Sequence, residues 1–386
     1  MRSPSSSATQ DSTSVILVRH GRSTFNQLKR YQGSCDSSVL TETGYETAGL
    51  VGKYLKNQTI DAIYTSPLQR VQQTVDAVLE QLNSSFPKRL EVHPHLRELD
   101  MAGWEGRTFQ EVQQTEPDAY RCWVERPHEF CLALPSSPAQ SQGAVAVAVQ
   151  THCYPVLDLY DRARQFWQEV LPRHRGQTIV IASHGGTNRA LISTALGLPP
   201  ACFHRLQQSN CGISLLKFPT GSWAGHLQTL NLTRPIGETL PKLKEGKQGL
   251  RLLLLPTESP PTAGAALAEL LRQVTIDFSL TSTSTPAQSL TDQVLQHHPQ
   301  TVQLQSQQQQ FLLNWQRTIT AKSSASATPL LTGLVVAQTA EIQQILAEAV
   351  GLSPNQQGKL QVQAGCLSIL HYPKPNHPVI QALNFA

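Results

Sequence analysis

The sequence predicts an α/β fold, a mostly parallel sheet with helices on both faces, followed by a smaller, degenerate α/β copy. Three observations carry this. Apolar runs of strand length, at residues 15–18, 60–64 and 178–182, alternate with stretches of helical period. The run at 15–18 is apolar at every position and that at 178–182 at every position after Thr178, as strands buried on both faces require, and each breaks into a polar loop. Finally, the second half of the chain repeats the apolar pattern of the first in the same order. Strands joined by helices of this length need crossover connections, which place the strands in parallel and cover the sheet twice.

Taken in order, residues 1–13 are rich in Ser and Thr and read as a flexible tail. The strand at 15–18 ends at Arg19-His20-Gly21, and a helix follows over 43–54. The strand at 60–64 breaks at Thr65-Ser66-Pro67, where a helix to about residue 82 begins. A strand at 90–92 leads into the loop His95-Leu96-Arg97-Glu98. Residues 127–155, rich in Pro, Ser and Ala, read as an insertion. A helix over 157–170 precedes the strand at 178–182, which ends at Ser183-His184-Gly185-Gly186 before a helix to Leu196. In open parallel sheets ligands bind beyond the carboxyl ends of strands, where His20 and His184 both fall.

A hydrophilic stretch at 236–249 reads as a linker between a catalytic domain at 14–235 and a second domain at 250–386. Residues 181–200 align without a gap on 335–354, and the offset of 154 continues through Ser214-Leu215-Leu216 and Ser368-Ile369-Leu370. Ile60-Asp61 and Thr65-Ser66 match Ile276-Asp277 and Thr281-Ser282, and the first strand matches residues 252–255. Opposite Arg19-His20 stand Pro256-Thr257, and opposite Ser183-His184 stand Ala337-Gln338. The second copy is therefore expected to be catalytically inactive.

Composition removes several classes of function. The chain has 386 residues, 39% of them apolar and 15% charged, with a net charge of +4, too small for a nucleic-acid footprint. No apolar window reaches the length of a membrane span, and the first residues lack the apolar core of a secretory leader, so a cytoplasmic protein is expected. Seven dispersed cysteines without a C-x-x-C pair argue against both disulfides and a thiolate metal site, and read as reduced core fillers. No metal and no cofactor are called for.

Arg19-His20-Gly21 directly after a buried strand places an imidazole and free backbone N–H groups where an anion can sit. His184 before Gly-Gly, Arg70 one helical turn beyond Thr65-Ser66-Pro67, and the carboxylate of Glu98 complete a constellation suited to phosphate. The segments VILVRHGRSTFN (15–26), YQGSCDSSVLTETG (31–44) and IYTSPLQRVQQT (63–74) closely resemble the histidine phosphatase superfamily, which includes cofactor-dependent phosphoglycerate mutases. HLRELDMAGWEGRTF (95–109) and IVIASHGGTNRAL (179–191) extend the resemblance over roughly 15–235.

The resemblance implies His20 as nucleophile, forming a phosphohistidine, with Arg19, Arg70 and His184 as phosphate clamps and Glu98 as proton donor. It further implies substrate contacts from Gly21, Arg22, Ser23, Thr24, Asn26 and Gly185. Asp100, Glu105 and Trp104 read as structural, and His93 and His95 as exposed. Two departures stand out. Arg22 occupies a position where the family commonly has Glu, and the 127–155 insertion replaces a Gly-Glu-Ser stretch found in many phosphatases. The expected partner is a small phosphorylated metabolite, with no nucleic acid and no membrane, and homo-oligomerisation is left open. The two-copy form resembles sugar-phosphate phosphatases of photosynthetic lineages, which makes a carboxyarabinitol phosphate, another sugar phosphate or phosphoserine the substrates to consider. A phosphoglycerate mutase, and a sensor of sugar phosphates without catalysis, are the alternatives.

Overall fold

The computed structural model describes residues 12–82, 89–133, 152–244, 246–307, 311–312, 315, 317, 329–373 and 377–385. Strand β1 (Ser12–Arg19) pairs in parallel with β6 (Thr178–Ser183), β6 with β2 (Ala62–Thr65), and β2 with β3 (Leu90–Val92). Beyond β1 the sense reverses. Strands β7 (Ile213–Pro219) and β8 (His226–Leu232) are antiparallel and complete a six-stranded sheet of order β3-β2-β6-β1-β7-β8. Polar residues such as Lys217, Thr229 and Asn231 interrupt the apolar pattern of β7 and β8, so periodicity alone does not reveal them.

Because side chains alternate along β1, one set faces each helical layer. Val15 and Leu17 pack with α6 (Pro155–Val170) and α7 (Gly185–Leu196), whereas Ile16 and Val18 pack with α2 (Glu42–Leu55) and α3 (Gln69–Leu79). Thr41 caps α2 through its side chain, and Gly197, at φ 79°, ends α7 in the left-handed conformation that glycine favours. Three further helices, α1 (Thr24–Gln27), α4 (Phe109–Thr115) and α5 (Pro117–Glu125), lie in connections that carry no strong period.

Some sequence boundaries shift. β1 starts at Ser12, inside the stretch read as a tail, and the Thr13 hydroxyl donates to the His174 carbonyl at 2.7 Å; residues 1–11 lie outside the described residues. Of the 127–155 insertion, 134–151 lie outside the described residues, and its flanks pair as β4 (Leu132–Ala133) and β5 (His152–Cys153). All seven cysteines are free, but only Cys202 and Cys211 are buried, so the core-filler reading holds for those two alone. Among the described residues no helix is long and apolar enough to cross a membrane.

The second half contains β9 (Leu250–Pro256), α8 (Pro261–Leu271), β10 (Phe278–Ser282), α9 (Thr285–Val294) and β11 (Val302–Ser306). It continues through β12 (Leu331–Ala337), α10 (Thr339–Val350), β13 (Ser368–Tyr372) and β14 (Val379–Ala382). Its sheet runs β11-β10-β12-β9-β13-β14, and every neighbouring pair has the same sense as its counterpart in the first sheet. Local devices recur as well. The Asp61 carboxylate accepts from the Thr178 N–H at 3.0 Å, and Asp277 accepts from Thr332 at 2.7 Å.

The two sheets meet at their edges, and several contacts there occur twice with the halves exchanged. Leu230 and Leu383 exchange both backbone hydrogen bonds, at 3.1 and 3.2 Å. Gln207 N–H donates to the Ile380 carbonyl and Gln361 N–H to the Leu227 carbonyl, both at 2.9 Å. Asn231 and Asn384 adopt left-handed backbone at φ 52° and 53°. Asn231 Nδ2 donates to the Gln381 carbonyl at 2.8 Å, and Asn384 Nδ2 to the Gln228 carbonyl at 2.6 Å. Their Oδ1 atoms accept from Ser209 N–H at 2.7 Å and Gln363 N–H at 2.9 Å. Such reciprocity is the signature of a twofold-related interface, here within one chain.

Because a buried asparagine amide with lost partners costs about 1–3 kcal/mol, Asn231→Ala and Asn384→Ala should each lower stability by about that amount. Urea denaturation is the measurement, and the two losses should be similar. A loss confined to one of the two would show that the reciprocity is geometric only.

Candidate functional site

The sheet builds the site at its carboxyl end. His20 directly follows β1, and its backbone N–H donates to the Ser183 carbonyl at 2.9 Å, extending the β1–β6 pairing by one residue. Its side chain is 2% exposed. Nδ1 lies 2.7 Å from the Gly21 carbonyl, and since a carbonyl only accepts, Nδ1 carries the hydrogen. Nε2 is therefore the nitrogen with the free lone pair. Asn210 Nδ2 fixes this turn by donating to the carbonyls of His20 and Gly21 at 3.0 and 3.1 Å. Gly21 N–H donates to Thr74 Oγ1 at 3.0 Å, and a Cβ on Gly21 would stand 2.5 Å from the Gly44 carbonyl oxygen, so no larger residue fits.

Two guanidinium groups, of the half-buried Arg19 and the fully buried Arg70, lie beside His20, and among the described residues their hydrogen bonds run to carbonyls rather than carboxylates. Arg19 Nη1 donates to the Gln208 carbonyl at 2.8 Å. Arg70, fully buried, donates to the carbonyls of Cys35 and Gly33, both at 2.9 Å. His184 packs edge-on to His20 with ring centroids 5.3 Å apart, and its Nε2 is 2.8 Å from Ser66 Oγ. Arg19 Nε, Arg70 Nε and His184 Nδ1 are buried polar atoms that find no hydrogen-bond partner among the described residues. Such groups are costly to leave unmade, and an anion with several acceptor oxygens satisfies them.

Burial, reinforced by Arg19 and Arg70, holds the His20 pKa well below the usual histidine range. Burial followed by Arg70, His20 and Arg19 does the same to His184. Arg19 is itself lowered to about 10, chiefly by burial. Both imidazoles are thus neutral at neutral pH, as a nitrogen nucleophile requires.

Glu98 reaches the site from the loop after β3. Its Oε2 accepts from Gly186 N–H at 2.9 Å, and its Oε1 accepts from Thr187 N–H at 3.1 Å and Leu99 N–H at 3.0 Å. The first turn of α7 thereby holds the carboxylate, with the helix dipole in its favour. Gly186 makes room, since a Cβ there would stand 2.4 Å from Glu98 Oε1. Arg162 secures the loop by donating to the carbonyls of Arg97 and Glu98 at 2.6 and 3.2 Å.

A cavity of about 230 Å³ gathers Arg19, His20, Asn26, Arg70, Glu98 and Gly185. His184 lies buried behind its lining. Gly21, also expected as a contact, is not part of the lining, and three further expected contacts fall elsewhere. Ser23 is buried as the cap of α1, and its hydroxyl donates to Gln32 Oε1 at 2.8 Å. Thr24 bonds Ser38 Oγ at 3.2 Å. Arg22 is exposed and lines a neighbouring surface cavity with Thr43, Asn210 and Lys242, which adjoins the first at Lys244. Trp104 and Glu105 are structural: Trp104 is buried, and Glu105 Oε1 accepts from Cys35 N–H at 3.1 Å. His93, read as exposed, is instead 4% exposed, set against Phe166 and 3.2 Å from Glu169.

Sequence reasoning missed several residues of the lining: Arg30, Tyr31 and Gln32, the aromatic rings of Phe109 and Trp123, Arg189 on α7, and Lys244. Arg189, five residues after His184 on the same helix, carries a signal in hindsight. Lys244 carries none, because it lies in the stretch read as a linker.

Comparison with known proteins gives this constellation a family. The profile described as Histidine phosphatase superfamily (branch 1) matches residues 15–231, more than half of the chain, and the protein belongs to that superfamily. The probable 2-carboxy-D-arabinitol-1-phosphatase of Arabidopsis thaliana is 34% identical over 204 residues, which cover 53% of this chain and 38% of that protein. The chain thus spans well under half the length of that relative. Phosphoserine phosphatase 1 of Hydrogenobacter thermophilus is 31% identical over 224 residues, covering 58% of this chain and 94% of the relative. Among solved structures, YhfR of Bacillus stearothermophilus aligns with 25% identity and a TM-score of 0.45, covering 56% of this chain and 95% of that one.

The buried imidazoles also govern acid stability. His20 and His184 titrate well below the ordinary value when folded, and His204 is held to about 3, mainly by burial. Unfolding returns these rings to water, where they bind protons near pH ~6.5. Below that pH the unfolded chain holds more protons, so their stability is fully present above it and lost as pH falls. We expect the urea midpoint to drop between about pH 7.5 and 5, with a slope of up to about 1.4 kcal/mol per pH unit for each histidine. A midpoint that stays level over this interval would mean that the folded rings accept protons.

Proposed function

We propose that the protein is a metal-independent phosphomonoesterase that hydrolyses a small phosphorylated metabolite through a phosphohistidine on His20. The observation that carries this reading is the bond from His20 Nδ1–H to the Gly21 carbonyl, which leaves Nε2 unprotonated in a cavity it shares with Arg19 and Arg70. In the first step the Nε2 lone pair attacks phosphorus, the ester P–O bond breaks, and the leaving alkoxide takes a proton from Glu98. Arg19 and Arg70 face the charge that grows on the equatorial oxygens, with His184 behind them. In the second step water attacks the phosphohistidine, Glu98 recovers its proton, and inorganic phosphate leaves. Substrates of the relatives, a carboxyarabinitol phosphate or phosphoserine, are the first to try on this chain. A relative named as a probable phosphoglycerate mutase, 29% identical over 209 residues in Yersinia enterocolitica, makes transfer to a second hydroxyl the competing outcome.

The second half we read as an inert copy of the first. Thr257 follows β9 where His20 follows β1, and its N–H donates to the Ala337 carbonyl at 2.8 Å as His20 does to Ser183. Among the described residues no imidazole or guanidinium takes the places of His20 and Arg19 there. The Glu258 carboxylate instead accepts from Thr339 N–H at 3.1 Å and from its hydroxyl at 2.8 Å, so the start of α10 is already taken by an anion of the chain itself. A phosphate there would meet like charge.

The test is direct. His20→Ala should abolish release of inorganic phosphate in the full-length protein, lowering kcat by at least about a thousandfold, with no residual turnover from the second half. Acid-labile, base-stable phosphate should appear on His20 in the wild type. Glu98→Gln should slow alkyl esters far more than aryl esters, whose leaving groups need no proton. Activity lost in EDTA and restored by a divalent metal would overturn the metal-free mechanism, and phosphate transfer to an added alcohol without release would make it a mutase.

A further inference from the structure

We propose that Gln381, on the last strand of the second half, is a positioning residue for the reaction at His20: through Gln207 it sets the segment that holds Arg19 and the turn of the nucleophile. The inference rests on the hydrolase reading above and gives the second half a part in it. Residues 208–212 bind the end of β1 through side chain and backbone. The Gln208 carbonyl accepts from Arg19 Nη1 at 2.8 Å, and Asn210 Nδ2 donates to the carbonyls of His20 and Gly21. Cys211 N–H donates to the Arg19 carbonyl at 3.0 Å, and the Gly212 carbonyl accepts from Arg19 N–H at 3.3 Å. Cys211 holds left-handed backbone at φ 55°, a conformation that a residue with a side chain keeps only where its surroundings impose it.

Much of that support comes from the second half. Gln207 and Gln381 are both fully buried. Gln207 Nε2 donates to the Lys242 carbonyl at 3.0 Å. Since a carbonyl only accepts, the oxygen of the same amide faces Gln381, whose Nε2 donates to it at 3.1 Å. Gln207 N–H donates to the Ile380 carbonyl, and Asn231, which accepts from Ser209 N–H, donates to the Gln381 carbonyl. Arg251 on β9, itself buried, donates to the Pro241 carbonyl at 2.6 Å and steadies the stretch to which Gln207 is bonded.

The glutamine bridge breaks the twofold pattern of the interface. By the reciprocal contacts, Gln361 is the counterpart of Gln207, and Gln228 of Gln381. Gln361 turns its amide to the Gly358 carbonyl of its own half, and Gln228 is only half-buried. The bridge therefore stands on the side where the segment holding Arg19 hangs from it, whereas cohesion alone would be served equally from either side. Without the Gln381 amide, Gln207 Oε1 is left buried and unpaired, and the segment shifts to find it a partner. A guanidinium displaced by a fraction of an ångström loses its aim at the equatorial oxygens.

The experiment compares two variants of the full-length protein. Gln381→Met removes the amide at nearly constant volume. Asn384→Ala weakens the same interface, but the bonds it removes run to Gln228, Gln361 and Gln363 rather than to residues 206–212. Turnover of p-nitrophenyl phosphate is measured well below the unfolding midpoint, together with binding of inorganic phosphate and of orthovanadate, which adopts the five-coordinate geometry of phosphoryl transfer. Gln381→Met should lower kcat about tenfold with KM changed no more than about threefold, because lost aim is felt most in the transition state. Vanadate affinity should fall about tenfold, and phosphate affinity about threefold or less. Asn384→Ala should lower the urea midpoint at least as far, yet keep kcat and vanadate affinity within about twofold of wild type. Should Gln381→Met fail to fold, Gln207→Met removes the same bond from its other end and is read in its place. Wild-type turnover and vanadate binding in the glutamine variant, or an equal loss of both in Asn384→Ala, overturn the proposal. If wild type hydrolyses neither this ester nor phosphoserine, the hydrolase reading fails. The vanadate comparison then decides the present inference, and a wild type that binds neither oxyanion overturns both.

Discussion

Positive charge held by neutral carbonyls is the constraint on which the site depends. The half-buried Arg19 and the buried Arg70 stand beside His20, and the bonds that hold them run to the carbonyls of Gln208, Cys35 and Gly33. Carbonyls orient a guanidinium without neutralising it. The field of both arginines therefore stays directed at the cavity, adds to burial in depressing the pKa of His20 and His184, and leaves polar atoms that an anion would complete. Had carboxylates held these arginines, the same geometry would bind phosphate weakly. Glu98, the lone carboxylate of the lining, is instead tied to the first N–H groups of α7, whose positive end it offsets.

Much of this could be read from the sequence, for a physical reason. His20 and His184 are legible because each follows a buried strand, where the sequence changes abruptly from apolar to polar residues. Arg70 and Glu98 stand out by their places, one helical turn after a strand end and in a loop leading out of a strand, and the resemblance adds their roles. The parallel core strands, buried on both faces, announced themselves as unbroken apolar runs, whereas β7 and β8 did not. Ser23, Thr24 and Arg22 illustrate the limit of motif transfer: adjacency in the chain to His20 does not put a side chain in its cavity. Ser23 caps a short helix, Thr24 turns to Ser38, and Arg22 faces a different surface cavity.

Lys244 illustrates the opposite limit. Its neighbours are hydrophilic, and hydrophilic connections read as linkers. What places it beside Arg19 is a set of contacts from residues far apart in the chain, Gln208, Gln207, Arg251 and Gln381, that no local pattern encodes. The internal repeat, by contrast, was visible because β-strand and helix periods survive substitution as long as the residues stay apolar. It surfaces again in paired details such as Asp61 and Asp277, or the left-handed Asn231 and Asn384.

The reciprocal edge contact has a consequence for how the two halves can change. Between separate identical chains, a contact of this kind would come apart on dilution, and every substitution would strike both sides of the axis at once. Joined in one chain, the halves meet at an effective concentration fixed by the connecting segment, so their association no longer depends on how much protein is present. Each side can also drift alone. One half is then free to give up its chemistry while it keeps the strand edge, the asparagine and the buried leucine that its neighbour needs.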